Sequence, residues 1–135
     1  VAEAHRLNAE FVQAGRAQFV LADVGKMPFA DGSFHKIFTV NTLYFWENPA
    51  AVLTELKRVL RQDGQLLLSF RPKIIMAQYP MTKYGFTMYS KEEAVKLFTD
   101  NGLEVTAAFE IIEPTTERWG GKLERESVIV MTRKN

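Results

Sequence analysis

The stretch Met27 to Trp46 constrains this chain more than any other. It opens as Met-Pro-Phe-Ala-Asp-Gly-Ser-Phe, in which Asp31-Gly32-Ser33 is turn chemistry: glycine takes positive φ without a Cβ clash, and the short polar side chains bond their own backbone. Ile37, Phe38 and Val40 follow as a short apolar, β-rich run, the pattern of a strand covered on both faces. Asn41-Thr-Leu-Tyr-Phe-Trp46 then stands at the strand's exit. In open α/β sheets ligands lie beyond the carboxyl ends of the strands, so this exit is where chemistry is expected.

The flanking sequence reads around that strand. Ala4, Leu7, Phe11 and Ala14 share one face of an amphipathic helix predicted over Val1 to Ala14, with Gly15 as its stop. Gln18 to Ala22 reads as a short strand ending at Asp23, before the breakers Gly25 and Pro28. Asn48-Pro49 is a cap with proline at the first helical position, and Val52, Leu53, Leu56, Val59 and Leu60 make that helix's core stripe. Asp63-Gly64 turns the chain into an apolar strand, Gln65 to Phe70, which exits at Arg71-Pro72-Lys73. This order predicts an α/β fold built on a mostly parallel sheet with helices on both faces.

Ile74 to Tyr89 has no clean period but carries Met76, Tyr79, Met81, Tyr84, Phe86, Met88 and Tyr89, and a long aromatic segment of this kind reads as a lid. Ser90-Lys-Glu-Glu93 is a capping box opening a helix with Ala94, Leu97 and Phe98 inward, closed by Asn101-Gly102. Leu103 to Ile112 and Ser127 to Thr132 read as a closing antiparallel hairpin joined through Glu113 to Glu126.

Bulk properties exclude several classes. At 135 residues the chain is one domain's worth. A net charge of +1 provides no field for nucleic acid or an anionic membrane surface. The absence of cysteine removes disulfide and thiolate-metal scaffolds and fits a cytoplasmic protein. His5, His35 and the carboxylates show no metal-ligand spacing, so no metal is expected. The chain opens at Val1 inside an apolar-periodic helix without a cap, which suggests a piece of something longer.

Taken together, Asp23-Val24, the run Met27-Pro-Phe-Ala-Asp-Gly-Ser-Phe34, Asn41-Thr-Leu-Tyr44, and Leu56-Lys-Arg-Val-Leu60 with Asp63-Gly64 before a strand resemble the class I S-adenosylmethionine-dependent methyltransferases of the small-molecule, type 11 kind. The resemblance implies a Rossmann-like fold from its third strand onward, S-adenosylmethionine as cofactor and a small molecule as methyl acceptor. It implies that Asp23 accepts a hydrogen bond from the adenine amine, a role suited to an acceptor-only carboxylate, and that the Val24 N–H bonds the ring. Asn41 would lie along the methionine part, with Leu43 and Tyr44 at the methyl-transfer mouth and Tyr44 the one candidate for direct catalysis. Trp46, Arg71, Lys73, Tyr84 and Tyr89 are substrate-side candidates by position. A turn-capping role for Asp23 and a purely structural role for Asn41 stand beside these readings.

One departure is large. The family's glycine-rich loop and the acid after its second strand have no counterpart, since the only adjacent glycines are Gly120-Gly121. The expectation is a partial domain, incomplete on its N-terminal side, binding cofactor weakly or not at all and inactive alone. The Lys36 to Val40 strand would then have an unpaired apolar edge, which predicts a homo-oligomer or a swapped dimer. The competing reading is a non-catalytic remnant serving as a binding or dimerisation module. A nucleic-acid amino-methyltransferase is disfavoured because Asn41-Thr-Leu-Tyr44 lacks two prolines and a basic surface is missing; a nicotinamide dehydrogenase lacks its fingerprint.

Overall fold

In the computed structural model, which describes residues 1–113, 117–118, 121–122 and 125–134, the chain runs α1 (Ala2–Leu7), α2 (Ala9–Gln13), β1 (Phe34–Val40), α3 (Pro49–Val59), β2 (Leu60–Phe70), α4 (Lys73–Met76), α5 (Lys91–Asp100), β3 (Glu104–Glu113), β4 (Glu117–Arg118), β5 (Gly121–Lys122) and β6 (Arg125–Arg133). Two 3-10 turns, Leu43–Phe45 after β1 and Pro80–Lys83 after α4, complete the order. The four long strands form one sheet in the order β1-β2-β6-β3.

The expected Rossmann-like α/β fold is observed, with two differences of detail. Among the described strands only β1 and β2 pair in parallel, while β6 inserts antiparallel between β2 and β3. A hairpin whose second strand carries Val128 and Val130 can bury them only beside the apolar β2. The second difference is that both long helices share one face. Leu66, Leu68 and Phe70 of β2 and Val128 and Val130 of β6 are fully buried against Leu53 and Leu56 of α3 and Ala94 and Phe98 of α5. Each of the Leu, Val and Phe side chains contributes on the order of 2 kcal/mol through removal from water. The alternate residues, Phe38, Val40, Leu67, Met131, Phe109 and Ile111, point to the opposite face, and Phe38 is 77% exposed.

Capping chemistry places the two long helices. The Asn48 side chain accepts from the Ala51 N–H at 3.1 Å with Pro49 at the first position. Ser90 and Glu93 form the reciprocal capping box at 3.1 and 2.7 Å. The expected turn at Asp63-Gly64 is instead a bulge inside β2: the register jumps between the pairs Phe34–Leu60 and Lys36–Gln65, with Asp63 at φ 60°.

The N-terminal expectations differ most. The predicted helix breaks at Asn8, whose φ of −121° leaves the helical range and whose amide donates to the Ala4 carbonyl at 3.0 Å. Asparagine competes with the backbone in this way, and a short helix without a packed face has little else to hold it straight. No residue of α1 or α2 is buried. Residues 18–22 belong to no strand, because a strand exists only where a neighbour supplies a ladder; the isolated bridge Asp23–Lys26 is all that forms. The segment expected over 113–126 is described only in its β3 and β6 ends and the β4–β5 ladder; Gly120 of the Gly120-Gly121 pair lies outside the described residues.

Candidate active site

At the end of β1 the Asn41 N–H donates to the Ser69 carbonyl at 2.8 Å, and the chain then leaves the sheet because Asn41 adopts φ 55°. A short polar side chain tolerates that left-handed conformation better than most. The 3-10 turn follows, and its three-residue period directs Leu43 and Trp46 inward together. Leu43, Tyr44 and Trp46 are buried, whereas Phe45 is 57% exposed.

The Tyr44 hydroxyl accepts from the Arg71 N–H and lies 3.2 Å from Asn41 Oδ1 and 3.4 Å from the Arg71 carbonyl, the two acceptors for its proton. It thereby ties the exits of β1 and β2 together. Burial pushes the Tyr44 phenol above its ordinary range, opposed in part by the Arg71 bond and charge. Beside it, the hydroxyls of Thr39 and Thr42 bond each other.

The loop that follows Asp23 is fastened to helix α3. Glu55 accepts from the Met27 N–H at 2.7 Å, and Arg58 donates to the carbonyls of Met27 and Phe29 and to the Asp31 carboxylate at 3.1, 2.8 and 2.7 Å. Arg58 also grips Glu55 itself, and together with the Met27 N–H it pulls the Glu55 carboxyl down to about 2. The loop 23–31 is thus anchored to α3 by charge-assisted hydrogen bonds, the stronger class.

This anchoring sets Asp23 and Val24 across from Phe45, Trp46 and Glu47, around a cavity of about 380 Å³. Asp23 Oδ1 caps its own turn by accepting from the Gly25 N–H at 2.7 Å; the turn-capping reading is therefore realised, and among the described residues the second carboxylate oxygen has no partner. Two carboxylates and aromatic walls make an acceptor-rich slot suited to a flat ring bearing an amine donor. A second cavity of about 250 Å³ lies between Tyr44–Glu47 and Gly85–Thr87. There Phe86 meets Phe45 at 4.8 Å and Tyr44 at 6.0 Å between ring centroids. The Thr87 N–H donates to the Tyr44 carbonyl at 3.0 Å, and the Lys73 N–H to the Tyr89 carbonyl at 2.7 Å.

The structure therefore brings Asp23, Val24 and Trp46 to one cavity and Tyr44 and Trp46 to the next, with Asn41 and Arg71 bonded to Tyr44 behind them. Leu43 is fully buried in the core, so its position offers a ligand only backbone. Lys73 pairs with Glu93 at 3.4 Å, Tyr84 points to solvent at 79% exposure, and Tyr89 packs partly against the core. The segment 74–89 is half embedded: Ile75, Met76 and Thr82 are buried, and Thr82 Oγ1 donates to the carbonyls of Met76 and Tyr79. Phe45, Glu47 and Phe86 also line these cavities; the sequence places Phe45 at the strand exit and Phe86 in the lid segment but singles out none of the three as a site residue. The run Leu-Tyr-Phe-Trp signalled an aromatic exit, but which ring faces outward depends on the 3-10 turn.

The family model described as a methyltransferase domain matches residues 1–68, half of the chain. The chain belongs to this methyltransferase family. A demethylmenaquinone methyltransferase of Clavibacter sepedonicus is 29% identical over 107 residues, covering 77% of this chain and 41% of that protein. The O-methyltransferase resE of Aspergillus sclerotiorum is 30% identical over 69 residues, 51% of this chain and 26% of that protein. The chain thus spans less than half the length of these two relatives. Among solved structures, geranyl diphosphate C-methyltransferase from Streptomyces coelicolor superposes with a TM-score of 0.74 at 12% identity, covering 97% of this chain and 58% of that one. A SAM-dependent methyltransferase from Methanosarcina mazei gives 0.68 at 18% identity, covering 99% and 78%. At those identities the likeness is one of fold. Among the described residues, no helix is long and apolar enough to cross a membrane.

Proposed function

We propose that this methyltransferase domain contributes the adenine side and the acceptor mouth to an S-adenosylmethionine-dependent transfer of methyl to a small molecule, and that the 135-residue chain alone is inactive. The observation that carries the reading is the juxtaposition of the Asp23-Val24 turn with Phe45 and Trp46 around one cavity at the β1 exit. That slot fits an adenine: a free carboxylate oxygen for the exocyclic amine, a backbone N–H at Val24 and aromatic walls. When bound, the cofactor supplies a sulfonium methyl, which the acceptor's lone pair takes as the sulfur–carbon bond breaks.

In this reading the protein's own residues position and desolvate. Tyr44 holds Asn41 and the Arg71 backbone in place, and the Phe45–Phe86 pair walls the second cavity as the acceptor side, with residues 74–89 acting as lid. A buried phenol kept neutral is a poor base, so Tyr44 serves alignment rather than proton removal, and alignment is the main requirement of such a displacement. The two relatives, a demethylmenaquinone methyltransferase and an O-methyltransferase by their names, support a small-molecule acceptor. Inactivity of the isolated chain is supported by the missing glycine-rich loop and by the chain's 41% share of its relative's length.

Isothermal titration with S-adenosylmethionine and S-adenosylhomocysteine tests this directly. The chain is expected to show no micromolar binding, whereas a longer polypeptide containing it binds, and Asp23→Ala in that polypeptide weakens binding tenfold or more. Micromolar binding to the 135-residue chain would show that it carries a sufficient site itself. A non-catalytic association module is the second reading, favoured by the exposed apolar face of the sheet.

A further inference from the structure

Arg58 lines neither cavity at the β1 exit, yet the strip of chain that carries Asp23 and Val24 hangs from it. Among the described residues, every hydrogen bond from 23–31 to a helix or strand runs to the side chain of Glu55 or Arg58. All three nitrogens of the guanidinium are used. Nε and Nη2 donate to the Glu55 carboxylate at 2.8 and 2.7 Å, Nη2 also reaches the Met27 carbonyl at 3.1 Å, and Nη1 donates to the Phe29 carbonyl and to Asp31 at 2.8 and 2.7 Å. Met27 is thereby held on both sides, its N–H by Glu55 and its carbonyl by Arg58. Two successive peptide planes are fixed, and Pro28 beyond them has a locked φ.

This grip reaches Asp23 through a closed turn. The Lys26 N–H donates to the Asp23 carbonyl at 3.0 Å and the Gly25 N–H to Asp23 Oδ1 at 2.7 Å, so residues 23–26 form one unit rooted at Met27. Residues 21–26 are all exposed, so no buried side chain of their own places them.

We infer that Arg58 is a positioning residue for the S-adenosyl cofactor: by fixing Met27 it sets where Asp23 and Val24 stand opposite Phe45 and Trp46. The inference rests on the reading of that slot as the adenine side. A pair with Glu55 one turn away on the same helix asks only for a positive charge, which lysine supplies as well. Meeting two carboxylates and two backbone carbonyls together requires the planar fork of arginine.

Titration of the longer polypeptide with S-adenosylhomocysteine, run as a double-mutant cycle, tests the inference. Arg58→Lys keeps the charge and the aliphatic stem, and is expected to weaken binding about tenfold. In an Asp23→Ala background the same substitution should weaken it at most about threefold, because it acts through the turn that Asp23 no longer completes. Independent losses, which a purely structural arginine would give, multiply to about a hundredfold and would overturn the inference, as would full-strength binding by Arg58→Lys. If Asp23→Ala itself leaves binding unchanged, the adenine reading of the slot fails and this inference with it. The 135-residue chain supplies a readout without ligand. In its Arg58→Lys variant the amide NMR resonances of Gly25 and Lys26 are expected to move to unstructured positions, while those of Leu66 and Leu68 in β2 stay. Unmoved loop resonances, or the loss of both sets, would show that Arg58 does not position this turn.

Discussion

Tyr44 and Arg71, 27 residues apart, meet where β1 and β2 leave the sheet, the phenol oxygen of one taking the backbone N–H of the other. This contact joins the two strand exits that frame the candidate site. It also orients Asn41, whose side-chain oxygen lies 3.2 Å from the same hydroxyl.

Tyr44→Phe keeps the ring and removes the link. The Arg71 N–H loses the phenol oxygen in a part-buried setting, which costs about 1–2 kcal/mol. Urea denaturation should show the midpoint falling with an unchanged slope, and an unchanged midpoint would mean that the hydroxyl holds nothing.

Alkaline pH acts through the same group. Burial raises the Tyr44 phenol in the folded state, so above the ordinary phenol value of about 10 the unfolded chain releases a proton that the folded chain retains. Stability is therefore full below pH 10 and declines as pH rises through the folded value. Thermal midpoints measured from pH 8 to 11 should fall for the native chain, and the fall should be smaller for Tyr44→Phe.

At acid pH the controlling pair is Glu55 and Arg58. Glu55 is held down to about 2 by Arg58 and the Met27 N–H, against an unfolded value near 4.3. Its contribution is present above the unfolded value and is lost as pH falls toward 2. Glu55→Gln should lower the melting temperature at pH 7, and its difference from the native chain should shrink to a minor part of that value by pH 2.5; a constant gap would assign the effect to packing.

Gly64 sits where a side chain has no room. A Cβ there would stand 2.7 Å from the Arg61 carbonyl oxygen and 2.7 Å from the Leu60 side chain, and the backbone atom cannot step aside. Gly64→Ala should cost about 1–3 kcal/mol, the usual range for overpacking, read from the urea midpoint.

Elements whose evidence is local were legible in the sequence. The caps at Asn48 and Ser90, the stripe Val52, Leu53 and Leu56, and the apolar run of β2 each depend on residues within a few positions of one another. Gln18 to Ala22 carried a strand's composition as well, yet no strand forms, because a ladder requires a partner strand and none of the described strands lies beside it. Asn8 shows the converse, where a continuous helical stripe does not make a continuous helix without a surface to pack on.

For the candidate site, the sequence by itself determined which residue types stand at the two exits: Asp23 after one apolar run, and Asn41 to Trp46 after the next. Only the tertiary structure decided that these exits share a cavity, that Phe45 rather than Leu43 faces it, and that Phe86 closes its neighbour. Those outcomes depend on Arg58 anchoring the 23–31 loop, on the left-handed turn at Asn41 and on Phe86 packing against Phe45 and Tyr44. Each is a contact between segments distant in the chain, whose geometry no local spacing encodes.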